Sequence, residues 1–242
     1  MSVFYADISA AYDDLFPVST EQLFLLNSLR EEAAARSVVD CGCATGAQLL
    51  PFAVSGNECL GFDPDPSLVA IARKKLAAWP NARIEEGGFA DILKLAGSPC
   101  DILLCLGNSL VHVPLEQAGR FISDAWRVLS PQGRMLLQIL NYERLLRNGV
   151  KELAPIRSAD GVASLRRYYS WEDPNKVMFR TTLKISDRVA SNEIPLYPVY
   201  PEQFHGMIEA AGFKDIRFFG DFSRSVFSAD SESLVCIARK KA

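Results

Sequence analysis

Apolar positions along the chain switch between a helical and a strand period, and the switches divide it into elements. Ser19-Thr20-Glu21-Gln22 forms a capping box ahead of Leu23, Leu25, Leu26 and Leu29, which predicts a helix to about residue 35. Short apolar runs at 37–40, 58–62, 83–85, 102–106 and 135–140 then predict strands. Helical stretches at 47–53, 66–78 and 115–129 separate them, the last stopped by Ser130-Pro131-Gln132-Gly133. Strand and helix alternating at this pitch predict right-handed crossovers and a mostly parallel sheet covered on both faces. From 161 to 200 the texture changes: β-branched and aromatic residues alternate with charges. Three antiparallel strands are predicted there, at 162–171, 177–186 and 193–200, with Asp173-Pro174-Asn175 as one turn. A helix at 202–211, closed by Gly212, and strands at 216–219 and 234–239 follow. The reading is one α/β domain over 1–242 with an inserted β lid at 161–200.

Composition removes several alternatives. The 242 residues carry 26 basic and 29 acidic side chains, a net charge of −3, which argues against a cationic face for nucleic acid. No apolar run approaches the roughly 18 residues of a membrane helix. Residues 1–16 hold Asp7, Asp13 and Asp14 and no base, unlike a secretory or transit leader, so the expected location is cytoplasmic. Cys41, Cys43, Cys59, Cys100, Cys105 and Cys236 form no C-x-x-C pair, and with only two histidines, His112 and His205, no metal site is expected. The expected partner is a small-molecule acceptor, without nucleic acid or membrane, for a monomer or homodimer.

The densest chemistry lies in Val38-Val39-Asp40-Cys41-Gly42-Cys43-Ala44-Thr45-Gly46, a strand that ends in an acid and turns through small residues into a helix. In open parallel sheets ligands bind at such turns. A dinucleotide fingerprint from Gly42 would need glycines at 44 and 47, and both are alanine. Acid-x-Gly-x-small-x-Gly instead resembles the first motif of class I S-adenosylmethionine-dependent methyltransferases, with Ala44 where glycine is usual. A cofactor that carries a sulfonium and an ammonium but no phosphate suits a carboxylate at the strand end. The simpler alternative is that Asp40 caps the next helix and the glycines serve a tight turn. Asp63, in Gly61-Phe62-Asp63-Pro64, falls 21 positions after Gly42, the spacing at which an acid reaches ribose hydroxyls; it also suits an Asx turn before Pro66. After the third strand, Gly88 replaces the acid with which family members commonly meet the adenine amino group. Phe89 beside it is either a ring on the adenine or plain core.

The run 102–112, ending Leu106-Gly107-Asn108-Ser109-Leu110-Val111-His112, is similar to the glycine N-methyltransferase branch and its bacterial relatives. Asn141-Tyr142, Tyr197-Pro198 and Gly220-Asp221-Phe222 extend that likeness over nearly the whole chain. The resemblance implies a Rossmann-like seven-stranded sheet with an antiparallel last strand. It implies S-adenosyl-L-methionine as cofactor, held by Asp40, Gly42, Cys43, Ala44, Thr45, Gly46, Asp63, Pro64, Gly88, Phe89, Leu106 and Gly107, with Tyr5 or Tyr12 closing over it. Asn108, Tyr197 and His112 would serve the acceptor, although Asn108 also suits a turn and His112 a structural imidazole. The branch holds its substrate carboxylate with an arginine just before Asn-Tyr, and here that position is Leu140, so glycine is not carried over. Arg166, Arg167 or Arg180 of the inserted strands would supply a cation instead, and Tyr168, Tyr169, Trp171, Tyr197 and Tyr200 the aromatic rings of the lid. The expected function is methyl transfer to a small-molecule N or O acceptor by in-line displacement. The alternatives are a non-catalytic adenosyl-binding module and, less favoured, an NAD(P)-dependent oxidoreductase.

Overall fold

The computed structural model of the chain describes residues 8, 9 and 11–241. A short α1 (Tyr12–Leu15) precedes α2 (Thr20–Glu32), whose first turn is capped by Ser19: its Oγ accepts from Gln22 N at 3.1 Å. There follow β1 (Ser37–Cys41), α3 (Leu50–Val54), β2 (Glu58–Asp63), α4 (Pro66–Lys75), β3 (Ala82–Glu86), α5 (Ile92–Ala96), β4 (Cys100–Cys105), α6 (Leu115–Val128), β5 (Leu129–Leu140) and α7 (Tyr142–Arg147). After these come β6 (Glu152–Arg157), β7 (Ala163–Asp173), β8 (Lys176–Ile185), β9 (Arg188–Leu196), α8 (Pro201–Ala210), β10 (Phe213–Phe219) and β11 (Ser233–Lys240).

The main sheet has seven strands in the order β10-β11-β5-β4-β1-β2-β3. β11 is antiparallel to both its neighbours, and β5, β4, β1, β2 and β3 are mutually parallel. The continuous apolar runs of β1 and β4 follow from their central place, since helices cover both faces. α6 buries Ala118, Phe121, Ile122 and Ala125 on one face, while Leu25, Leu26 and Leu29 of α2 close the other with Phe52 and Ala72. The chain reverses strand order between β1 and β4, and that crevice is where the site lies.

Three expectations change. The insertion is a four-stranded antiparallel sheet, β6-β7-β8-β9, rather than three-stranded, and it begins at Glu152. The extra strand β6 is mostly exposed, contains Pro155 and pairs irregularly between Leu153 and Ile156, so it lacks the alternation that marks a strand. β9 starts at Arg188, directly across a tight hairpin from Ile185 with Ser186 at φ 51°, and ends at Leu196. Finally, β5 absorbs the predicted stop at Ser130–Gly133, with Gln132 at φ 67° and a register shift opposite Cys100 and Ile102.

Gly61 in β2 lies directly under the turn after β1. A Cβ there would lie 2.6 Å from Leu49 Cδ1, 2.8 Å from Ile84 Cδ1 and 2.9 Å from Cys43 Sγ. Gly61→Ala is therefore expected to destabilise the fold by about 1–3 kcal/mol through overpacking, read as a lower urea midpoint at unchanged slope.

Candidate active site at the sheet's switch point

The turn after β1 is built from left-handed residues: Gly42 at φ 78°, Ala44 at φ 47° and Gly46 at φ 74°. β2 fixes it from the side. Gly42 N and Cys43 N both donate to Phe62 O, at 2.8 and 3.0 Å, and Ala44 N donates to Asp63 Oδ2 at 2.9 Å. Ala44 thus holds the backbone shape expected of the usual glycine, at a cost of about 1–2 kcal/mol for its Cβ. Gly42 is needed for space as well, because a Cβ would meet Ser109 Oγ at 2.9 Å.

A cleft of about 650 Å³ opens beside this turn. Its walls include Tyr12, Gly42, Ala44, Asp63, Pro64, Gly88, Phe89, Gly107 and His112 among the sequence-predicted residues. Asp40, Cys43, Thr45, Gly46, Leu106, Asn108 and Tyr197 stand behind or beside that lining, and Tyr5 lies outside the described residues. Phe62, Asp65, Leu68, Gly87, Ser109, Val113, Asn192 and Ile194 line the cleft without having been singled out. The last two come from β9, where they belong to the inward-facing alternate set; Ile194 falls inside the strand predicted at 193–200, and Asn192 lies just before it.

Asp63 makes the Asx turn read for it and also lines the cleft. Its Oδ1 accepts from Asp65 N at 2.9 Å in an Asx turn, its Oδ2 holds Ala44 N, and the carboxylate still faces the cleft. An ionised carboxylate has about four acceptor sites, so about two remain for hydroxyl donors. Burial raises its pKa, against the hydrogen bonds from Asp65 N and Ala44 N that lower it. Asp40 is more extreme: it is buried, its Oδ2 has no hydrogen-bond partner among the described residues, and desolvation together with the Asp63 charge pushes its pKa to about 8. An orphaned buried carboxylate beside a second acid suits a cationic ligand and opposes a pyrophosphate. Phe89 is both wall and core, packed on Phe121 with ring centroids 4.4 Å apart.

Around the mouth, the loop after β4 is held by its neighbours. Gly107 N donates to Gln138 Oε1 at 2.9 Å. Asn108, at φ 68°, spends its amide on Tyr142 Oη at 2.9 Å and on Leu140 N at 3.0 Å, as the turn reading anticipates. Tyr197 N donates to Val111 O at 2.8 Å, which fastens the end of the inserted sheet to the same loop. His112 lines the cleft with its pKa lowered by desolvation. The N-terminal arm is tied down on two sides. Asp13 bonds Lys75 at 2.6 Å and Thr45 Oγ1 at 2.5 Å, while Ile8, Ala11 and Leu15 pack on Ala163, Leu165 and Leu183 of the insertion. No lysine or arginine lines the cleft among the described residues. Arg166 pairs with Glu152, Arg167 bonds Ala154 O, and both Arg166 and Arg180 lie over the Tyr168 ring.

Among the described residues no three His, Cys, Asp or Glu side chains converge as metal ligands, and no helix is long and apolar enough to cross a membrane. Residues 38–133 match a family described as a methyltransferase domain. The chain is 22% identical over 236 residues to a glycine/sarcosine N-methyltransferase of Aphanothece halophytica, covering 92% of this chain and 82% of that protein. Its fold is similar to the CcbJ methyltransferase of Streptomyces caelestis, with TM-score 0.80, 22% identity and coverage of 98% and 96%. It is also similar to the sugar N-methyltransferase KedS8 of a Streptoalloteichus species, with TM-score 0.71, 17% identity and coverage of 99% and 92%.

The buried acid makes stability of the ligand-free protein depend on pH. A folded pKa near 8 against an ordinary 3.8 means that the folded state holds an extra proton between those values, so stability falls as pH rises across that window. Asp63 adds a slope of the same sign, and His112, with a lowered pKa, one of the opposite sign. Asp40→Asn is expected to remove most of the decline in urea midpoint between about pH 5 and about pH 8 while leaving the other contributions in place.

Proposed function

The chain belongs to the class I S-adenosylmethionine-dependent methyltransferases, related to their glycine N-methyltransferase branch, and from that premise we propose that it methylates the amine nitrogen of a small acceptor lacking a carboxylate. The observation that carries this reading is a cleft lined by Asp63 and Asp65, with the buried Asp40 behind it, and by no lysine or arginine among the described residues. The acids support a sulfonium-bearing cofactor, and the lack of a lysine or arginine gives a substrate carboxylate nothing to pair with. Nitrogen is favoured over oxygen by the N-methyltransferase relative that aligns with almost the whole chain.

S-adenosylmethionine, when bound, supplies an electrophilic methyl group for in-line displacement. The protein's part is positioning and exclusion of water, which can lower such a barrier by roughly 7–11 kcal/mol in favourable cases. In this reading Asp63 receives ribose hydroxyls on its spare lone pairs, Phe89 and the Gly87–Gly88 backbone border the adenine, and Asp40 biases the inner end toward positive charge. Leu106 and Gly107 offer carbonyls to the methionyl ammonium, held in place by Gln138 on Gly107 N. Asn108 and Tyr197 act as positioning residues, since one braces the loop through Tyr142 and the other ties it to the insertion. His112, whose surroundings favour the neutral imidazole, faces the acceptor and can accept a proton from its ammonium form on a ring nitrogen. The inserted sheet, reaching over the cleft with Asn192 and Ile194, and the arm with Tyr12 form the lid.

Turnover with labelled cofactor tests the acceptor class. Label should pass to the nitrogen of small carboxylate-free amines in preference to glycine or sarcosine, and preference for those amino acids would overturn the reading. Binding tests the cofactor side by calorimetry. S-adenosylhomocysteine should bind and NADH should not, and Asp63→Ala should weaken the former by about 1–3 kcal/mol through lost charged hydrogen bonds.

A further inference from the structure

A second cavity, of about 440 Å³, lies away from the cleft on the other side of β5, and its walls include Arg134, Arg217, Arg224 and Arg239 with Glu32 and Asp215. Its floor is laid across three adjacent strands. Arg239 of β11 sits directly opposite Arg134 of β5, and Arg217 of β10 is opposite Ile237, two residues along β11 on the same face as Arg239. Like charges placed across a sheet repel one another, so their persistence requires compensation. The compensation is incomplete. Glu32 pairs with Arg134 and, at 2.8 Å, with Arg224; Asp215 pairs with Arg239; Arg217 has no ion pair among the described residues.

The cavity keeps a surplus of two positive charges, four guanidiniums against two carboxylates. Burial opposes ionisation of Glu32, but hydrogen bonds from Arg224, Ser28 and Arg134 hold its pKa down to about 2, so this acid stays charged and occupied at neutral pH. The Nε atoms of Arg134, Arg224 and Arg239 are buried with no hydrogen-bond partner among the described residues. Phe219, Ile237 and Ala238 supply an apolar wall that strengthens charge pairing inside. Planar guanidiniums lining one cavity, with the exposed Arg217 unpaired among the described residues, are the group proteins use to hold phosphoryl and carboxylate oxygens.

The geometry points to a second binding site in this cavity, for a compact dianion presented by a small metabolite as a phosphoryl group or as two neighbouring carboxylates. It shares no lining residue with the cofactor cleft, so its occupancy is separable from methyl transfer.

Thermal unfolding of the full chain tests the site, with inorganic phosphate or succinate at about 10 mM compared with chloride at matched ionic strength. At least one dianion should raise Tm by about 2–4 °C. A rise with phosphate alone identifies a phosphoryl ligand, one with succinate alone a dicarboxylate, and one with both supports the shared chemistry. Arg217→Gln, at an exposed position outside the ion pairs of the described residues, should keep the chloride Tm and weaken the apparent dianion affinity at least about fivefold. No rise with either dianion, or an undiminished rise in Arg217→Gln, overturns the proposal.

Discussion

Asp63 holds Ala44 N at 2.9 Å, and through that bond the second strand keeps open the turn that ends the first. A run of left-handed residues does not persist unaided in a chain of L-amino acids, least of all with an alanine at its centre. Phe62 O and the Asp63 carboxylate together take the amide hydrogens of Gly42, Cys43 and Ala44, which satisfies donors that the delayed start of α3 leaves without helical partners. The turn therefore curves away from the sheet axis and leaves a hollow where β1 and β4 part. The acid that shapes the hollow is also the acid that faces it, so a change at this residue alters the turn and the cleft wall together.

What covers the hollow depends on a longer chain of contacts. The arm is a poor helix alone, since α1 is a single turn, and it gains its place from both partners: an ion pair to Lys75 with Thr45 at its side, and an apolar seat on the insertion. Thr45 belongs to the turn after β1, so the arm reports on the same backbone that shapes the cleft. Tyr197 N on Val111 O ties the far end of the insertion to the loop after β4. Arm, insertion and cofactor fold are thereby linked in a closed circuit around the cleft, and no one of them reaches its position independently.

Much of this was legible in the residue order. The central strands announced themselves because burial on both faces demands unbroken apolar runs, and Asp40, Gly42 and Asp63 because their spacing is set by local backbone geometry. The sequence-based reading failed where tertiary pairing overrides local pattern. β6 carries Pro155 and few buried side chains, and only its pairing with β7 makes it a strand. The tight hairpin at Ser186 starts β9 earlier than predicted and so hid Asn192. The Asp13–Lys75 pair joins residues 62 positions apart, and the four arginines of the distal cavity come from two sheet neighbours, an edge strand and a loop. Such groupings have no spacing to be read; they exist only once register is set.

The two cavities share a near-neutral chain but divide its charge in opposite senses. Behind the cleft wall, one buried oxygen of Asp40 has no donor among the described residues, and the ligand-free protein lowers that cost by holding a proton there. In the distal cavity arginines outnumber acids, and buried Nε groups go without acceptors. Unsatisfied buried groups of either sign are destabilising, typically by about 1–3 kcal/mol each. The folded chain thus carries costs of opposite sign at its two cavities, each against a different part of one continuous sheet.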